Sequence, residues 1–166
     1  MGKEKLLLDI NINWYGPYTL NEVYEYKDNY CDFGVYQIYG SHPIYGSGIL
    51  LYVGKAVQQT FGVRIGQHEW EDNKDSGNIQ VYIGRLRKDE ITSIKEWQNR
   101  ITMAESIILY AGSPARNSAS IKTLPIGYEY IHVLNWGQYR DLLPEISGKR
   151  FSTCTWGEDF NLTTLS

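Results

Sequence analysis

Apolar and polar positions along this chain repeat with two different periods, and the change of period divides it into strands and helices. Residues 33–39, Phe-Gly-Val-Tyr-Gln-Ile-Tyr, alternate in the manner of a half-buried strand. Residues 49–53 form a near-continuous apolar run, the pattern of a strand buried on both faces. Between them Tyr45-Gly46-Ser47-Gly48 is turn chemistry, which predicts a hairpin with a long, glycine-loosened loop. In residues 79–86, Ile79, Val81 and Ile83 alternate with Gln80, Tyr82 and Gly84, which predicts a third strand. Residues 128–134 predict a further strand, turned by Asn135-Trp136-Gly137 into a short segment that ends at Pro144.

The helical period is strongest over residues 91–111. Ile94, Trp97, Ile101, Ala104, Ile108 and Ala111 recur at spacings of three and four, and Gly112-Ser113-Pro114 stops the helix. Glu105 lies one residue off this stripe, where a carboxylate is costly to bury unless it is paired or bound to a metal. Nearer the N-terminus, an edge element that includes Leu6-Leu7-Leu8 precedes Thr19, and Glu22 follows it three residues on. That capping box predicts a short helix through Val23 and Tyr24. Residues 58–70 place Phe61, Val63, Ile65 and Trp70 in a segment where Gly62 and Gly66 each weaken a helix by about 1 kcal/mol. Arg64 and His68 stand four residues apart, so at helical spacing they share a face. Residues 71–77 read as an acidic loop, and the tail past residue 152 has no clear period.

Composition changes this picture in only a few places. With 166 residues, 42% hydrophobic and 21% charged, the chain is expected to form one domain spanning residues 1–166. Fourteen tyrosines against four phenylalanines suit either an interface or a nucleic-acid face, or equally a tyrosine-rich core. The net charge of −3 argues against a generic polyanion binder. Arg85, Arg87 and Lys88 nevertheless form a dense basic cluster, which reads equally as a solvated strand end or a DNA-backbone contact, and Arg116 and Lys122 add to the candidate cations. Cys31 and Cys154 have no metal-ligand spacing and no disulfide framework, while His42 and His132 read as structural. No apolar run reaches membrane-spanning length and no secretory core is present, so a cytoplasmic location away from membranes is expected.

Several short motifs follow one another in a fixed order: Gly34-Val35-Tyr36, then Tyr52-Val53-Gly54-Lys55, then Arg64 with His68, then Glu105 in the long helix, then Asn117. Any one of them is weak, since glycine and tyrosine are common here. Taken singly, Tyr36 and Tyr52 would be ordinary strand tyrosines, and Lys55 and Arg64 solvated charges. In order, they resemble the GIY-YIG nuclease family over residues 33–117, with valine for isoleucine in both named elements and Arg64 nine positions after Lys55.

The resemblance implies an α/β (α+β) domain, a small and mainly antiparallel central sheet flanked by helices. It implies Mg²⁺-dependent, or Mn²⁺-dependent, hydrolysis of DNA phosphodiesters that leaves 5′-phosphate and 3′-hydroxyl ends. In that scheme Glu105 holds the metal, Tyr36 deprotonates water with a nearby cation such as Lys55 favouring the phenolate, and Arg64 stabilises charge on phosphorus. Tyr52 and His68 orient water, Tyr36 or phosphate, and Asn117 supports the core. Arg85, Arg87, Lys88, Arg116 and Lys122 are the candidate DNA contacts. The histidine after Arg64 and the lack of a separate DNA-reading module point toward a small restriction endonuclease, expected to act as a homodimer on DNA. A repair or mobile-element nuclease, or a non-cleaving DNA-binding module on the same fold, is the alternative.

Overall fold

The computed structural model describes residues 7–68, 78–88, 91–118 and 123–151. Six strands form one sheet: β1 (Leu8–Tyr18), β2 (Gly34–His42), β3 (Gly46–Ala56), β4 (Gln80–Leu86), β5 (Ile131–Gly137) and β6 (Glu145–Ser147). The four helices among the described residues are α1 (Leu20–Tyr24), α2 (Phe61–Gly66), α3 (Ile94–Gly112) and α4 (Gly148–Phe151). In space the strands run β3-β2-β4-β1-β5-β6. The β1–β5 pair is parallel and the others are antiparallel, so the fold is mixed α/β with a mainly antiparallel sheet. No described helix is long and apolar enough to cross a membrane.

Each face of the sheet carries its own core. Ile10, Ile12, Trp14, Val35, Tyr39 and Val53 pack with Ile101, Ala104, Ile107 and Ile108 of α3 on one side. Tyr36, Ile38, Val81 and Ile83 pack with Val23 of α1 and with Phe61 and Ile65 of α2 on the other. β2 therefore buries both faces, with every residue from Gly34 to Gly40 buried. This reverses the expectation from sequence, which assigned two-sided burial to residues 49–53. Gln37 and the tyrosines look polar, but Tyr39 donates its hydroxyl to Gln37 Oε1 at 2.7 Å, and so both bury with their hydrogen bonds met. β3 lies at the sheet edge instead, and its Ile49, Leu50 and Tyr52 are only half-buried.

Other differences follow from pairing. The β2–β3 connection is short, because Gly46-Ser47-Gly48 belongs to β3 and the turn is Pro43-Ile44-Tyr45. His42 Nδ1 accepts from the Ile44 and Tyr45 amides at 3.2 and 3.4 Å, a structural role of the kind expected. The N-terminal strand is no edge element, since β1 lies between β4 and β5. Its Trp14 indole donates to Asn135 Oδ1 at 2.8 Å. Asn135-Trp136-Gly137 does not turn the chain but continues β5. The Thr19–Glu22 capping box is present in both halves. α3 starts at Ile94 with Ser93 as its cap, and Ile94, the first residue of the expected apolar stripe, is 74% exposed.

Candidate active site

The two motif glycines are dictated by close approach. Gly34 has a φ of +151°, and a side chain there would collide with the carbonyl oxygen of Gly84 on β4. Tyr36 sits opposite Gly54 in the β2–β3 ladder. A Cβ on Gly54 would lie 2.5 Å from the Tyr36 hydroxyl oxygen and 2.7 Å from the Tyr52 ring. Only glycine lets both tyrosines share that stretch of sheet. Their rings are stacked with centroids 6.0 Å apart, and His68 extends the row with its ring 5.5 Å from Tyr52.

The Tyr36 hydroxyl is fully buried with no hydrogen-bond partner among the described residues. Burial pushes its pKa well above the usual tyrosine value, Tyr52 and Glu105 push the same way, and Arg64 pulls it down without prevailing. The strongest cationic influence on this phenol is thus that of Arg64, where the sequence had suggested a nearby cation such as Lys55. Arg64 stands in α2, whose short span reflects the two glycines, and its Nη1 donates to Gln67 Oε1 at 3.3 Å. α2 ends at Gly66, so His68 lies beyond the helix and not one turn along it. Burial, and then Arg64, lower the His68 pKa, which keeps the ring neutral at physiological pH.

Across the edge strand, on the α3 side, Lys55 Nζ meets Glu105 Oε2 at 2.8 Å. Glu105 is held in place by Ala104 and Ile108, which anchor its turn of α3 in the core. Asn117 clamps β3 at Val53, its Oδ1 accepting from the amide at 3.0 Å and its Nδ2 donating to the carbonyl at 2.9 Å. The Ala115 and Arg116 amides donate to the Leu50 and Leu51 carbonyls, so this loop covers part of the sheet edge. Among the described residues no three acidic, histidine or cysteine side chains group as metal ligands. The donor set at Glu105 is a single carboxylate shared with a lysine. That suits Mg²⁺, which keeps several waters and takes one or two carboxylates plus substrate phosphate, and does not suit a preformed protein cage.

A cleft of about 610 Å³ opens past the end of β3, lined by Lys55, Val57, Gln58, Gln59, Arg64, Gln67 and Thr102. It joins the two halves of the site, with Lys55 from one sheet face and Arg64 from the other. The three glutamines and Thr102 are site residues that sequence reasoning missed; a Gln-Gln pair just after the Tyr-Val-Gly-Lys motif was the available signal. The structure therefore brings Tyr36, Tyr52, Lys55, Arg64, His68, Glu105 and Asn117 to one sheet edge.

The expected DNA contacts fare differently. Arg85 is engaged by the fold: it pairs with buried Asp32 at 2.7 Å, donates to the Cys31 carbonyl at 3.1 Å and lies over the Tyr15 and Tyr26 rings. Arg87 and Lys88 are exposed, and Arg116 is half-buried beside β3. Lys122 lies outside the described residues, as do Cys154 and the acidic loop. In comparisons with family models, curated proteins and solved structures, nothing matches this chain.

Proposed function

We propose that this chain is a metal-dependent DNA endonuclease of the GIY-YIG type. The observation that carries the reading is the meeting of Tyr36, Tyr52, Arg64 and His68 with Lys55 and Glu105 around the open end of one edge strand. Those residue types are what phosphodiester hydrolysis requires: a proton acceptor, cations for charge on phosphorus, and a carboxylate for a metal. Arg64 and Lys55 bind the scissile phosphate in the cleft, and Tyr52 and His68 hold the ring of Tyr36 and the attacking water in line. Tyr36 Oη is the proton acceptor of this reading, which requires water to reach an oxygen that the fold encloses, and Arg64 favours the phenolate that must form first. Glu105 and a phosphate oxygen would hold Mg²⁺ or Mn²⁺, which supplies charge stabilisation at the leaving oxygen and further positive field at Tyr36.

A restriction-type enzyme acting as a homodimer on DNA is the form of this reading we favour, because one such site cuts one strand per engagement. A non-cleaving DNA-binding module is the second reading. The Lys55–Glu105 pair favours it, since an ammonium already neutralises the carboxylate. Supercoiled plasmid incubated with Mg²⁺ or with EDTA separates the two, with end analysis for 5′-phosphate and 3′-hydroxyl termini. Metal-dependent cutting that Glu105→Gln abolishes supports the nuclease; binding without cutting in any divalent metal refutes it.

A further inference from the structure

A second cavity adjoins the cleft. It encloses about 390 Å³, within the ~300–1,000 Å³ common for small-molecule sites. Tyr30, Phe33, Val57, Lys88, Trp97 and Gln98 are among its walls. Val57 lines both cavities, and Gln98 of this one stands one helical turn before Thr102 of the other on α3. The two cavities therefore lie side by side along α3, with lining residues one helical turn apart.

The lining is aromatic and cationic. Phe33 and Trp97 meet edge to face with centroids 5.6 Å apart, and Lys88 Nζ lies 4.6 Å from the Trp97 ring centre while donating to the Tyr30 carbonyl at 2.6 Å. Tyr30 is 84% exposed, so its ring is available to a molecule entering the cavity. The Trp97 indole N–H is buried with no acceptor among the described residues. Although the chain carries a net charge of −3, the described residues lining the two cavities include Lys55, Arg64 and Lys88 and no carboxylate.

From this we infer that the second cavity receives a nucleobase displaced from the helix next to the scissile phosphate, so that DNA already carrying an extrahelical nucleotide there binds more tightly than fully paired DNA. The inference rests on the nuclease reading for the meaning of the neighbouring cleft. Stacking on Tyr30, Phe33 and Trp97 holds the base without regard to its identity, because every base presents a π-face. Lys88 contacts the phosphate on the outer side of that nucleotide, as Lys55 and Arg64 do on the inner side.

The test uses the full chain carrying Glu105→Gln, in EDTA, and two labelled duplexes identical except for one unpaired nucleotide. Fluorescence anisotropy should show the bulged duplex bound at least tenfold more tightly. Tyr30→Ala, at an exposed position that leaves the backbone carbonyl for Lys88, should lower affinity for the bulged duplex at least fivefold and leave the paired duplex unchanged. Equal affinity for both duplexes, or an equal loss on both in the variant, would overturn the proposal, as would protection of the cavity by an apolar peptide but not by DNA. Trp97→Leu provides a second variant that keeps an apolar wall and removes the aromatic face; an unchanged thermal melt certifies its fold, and it should weaken only bulge binding. Failure of this proposal is distinguishable from failure of the nuclease reading. Bulge preference in EDTA without cleavage in Mg²⁺ leaves the cavity standing and removes catalysis, whereas plasmid cleavage without bulge preference does the reverse.

Discussion

Replacing Tyr36 by phenylalanine should separate activity from stability in opposite directions. The phenol oxygen is enclosed with no hydrogen-bond partner among the described residues, and a buried polar group left unpaired costs about 1–3 kcal/mol. The substitution keeps the ring, its stacking on Tyr52 and its contact with Gly54, and removes only that oxygen. The Tyr36→Phe variant should thus gain about 1–2 kcal/mol, which for a chain of this size raises Tm by about 2–8 °C. Cleavage should fall by about 10²–10⁴-fold, the loss typical of removing a general base. The pH profile supplies a further check. Burial raises the Tyr36 pKa, so the reactive phenolate is scarce at neutral pH and becomes commoner as pH rises. Wild-type kcat/KM should climb about tenfold per pH unit between roughly pH 6 and 9, and the variant's residual activity should lack that slope. Differential scanning calorimetry and initial rates on supercoiled plasmid measure both arms. A variant that melts below wild type by several degrees means the hydroxyl is satisfied in the fold; one that cleaves within tenfold of wild type means Tyr36 is not the base.

Glu105→Gln should cost cleavage at least about 10³-fold, the equivalent of roughly 4 kcal/mol of transition-state stabilisation. Stability should change by no more than about 1 kcal/mol, because the Lys55 partner is one-third exposed; a Tm drop beyond about 8 °C would make Glu105 a structural residue instead. Arg85→Ala should behave the other way, losing about 3 kcal/mol in urea melts because Asp32 is left buried and unpaired, with DNA affinity in native buffer little altered. A plot of log K against log salt should have a slope of about −3 if Lys55, Arg64 and Lys88 are the phosphate contacts, and Lys88→Met should flatten it by about one unit. Light scattering on Glu105→Gln with uncleaved duplex should give the mass of two chains, and a monomer that only nicks plasmid under all conditions would defeat the dimer.

The sequence was most legible where local chemistry decides structure. The Thr19–Glu22 capping box, the α3 periodicity and the stop at residues 112–114 depend on neighbours a few positions away. It was least legible where a distant partner decides. Ile10, Ile12 and Trp14 alternate with asparagines, a period-two signal that was present, yet nothing local says that β4 and β5 flank that strand. Tyr36, Gln37 and Tyr39 misled because amphipathic side chains count as polar in a pattern but bury readily once hydrogen-bonded or packed. Arg85 was read by charge density, and only the fold reveals that Asp32 claims it. The contact that each cation makes, Lys55 with Glu105 and Arg64 with Gln67, required three dimensions.

The edge position of β3 is what allows these residues to act together. Side chains on a strand alternate between faces, so Tyr52 projects toward α2 and Lys55 toward α3. On an interior strand a neighbour would separate the two sets, and neither face alone would hold the tyrosines together with Lys55 and Glu105. Among the described residues, the loop after α3 is bonded to the outer edge of β3 from Leu50 to Val53, through the amides of Ala115 and Arg116 and the Asn117 clamp. Past Gly54 the cleft opens with Lys55 and Arg64 on its walls. Glycine at position 54 is required at this transition because the Tyr36 tip crosses it on the way to the edge. The clamp and the glycine thus divide the strand into a held part and an open part. Asn117, although it touches no substrate in this scheme, sets where the site begins.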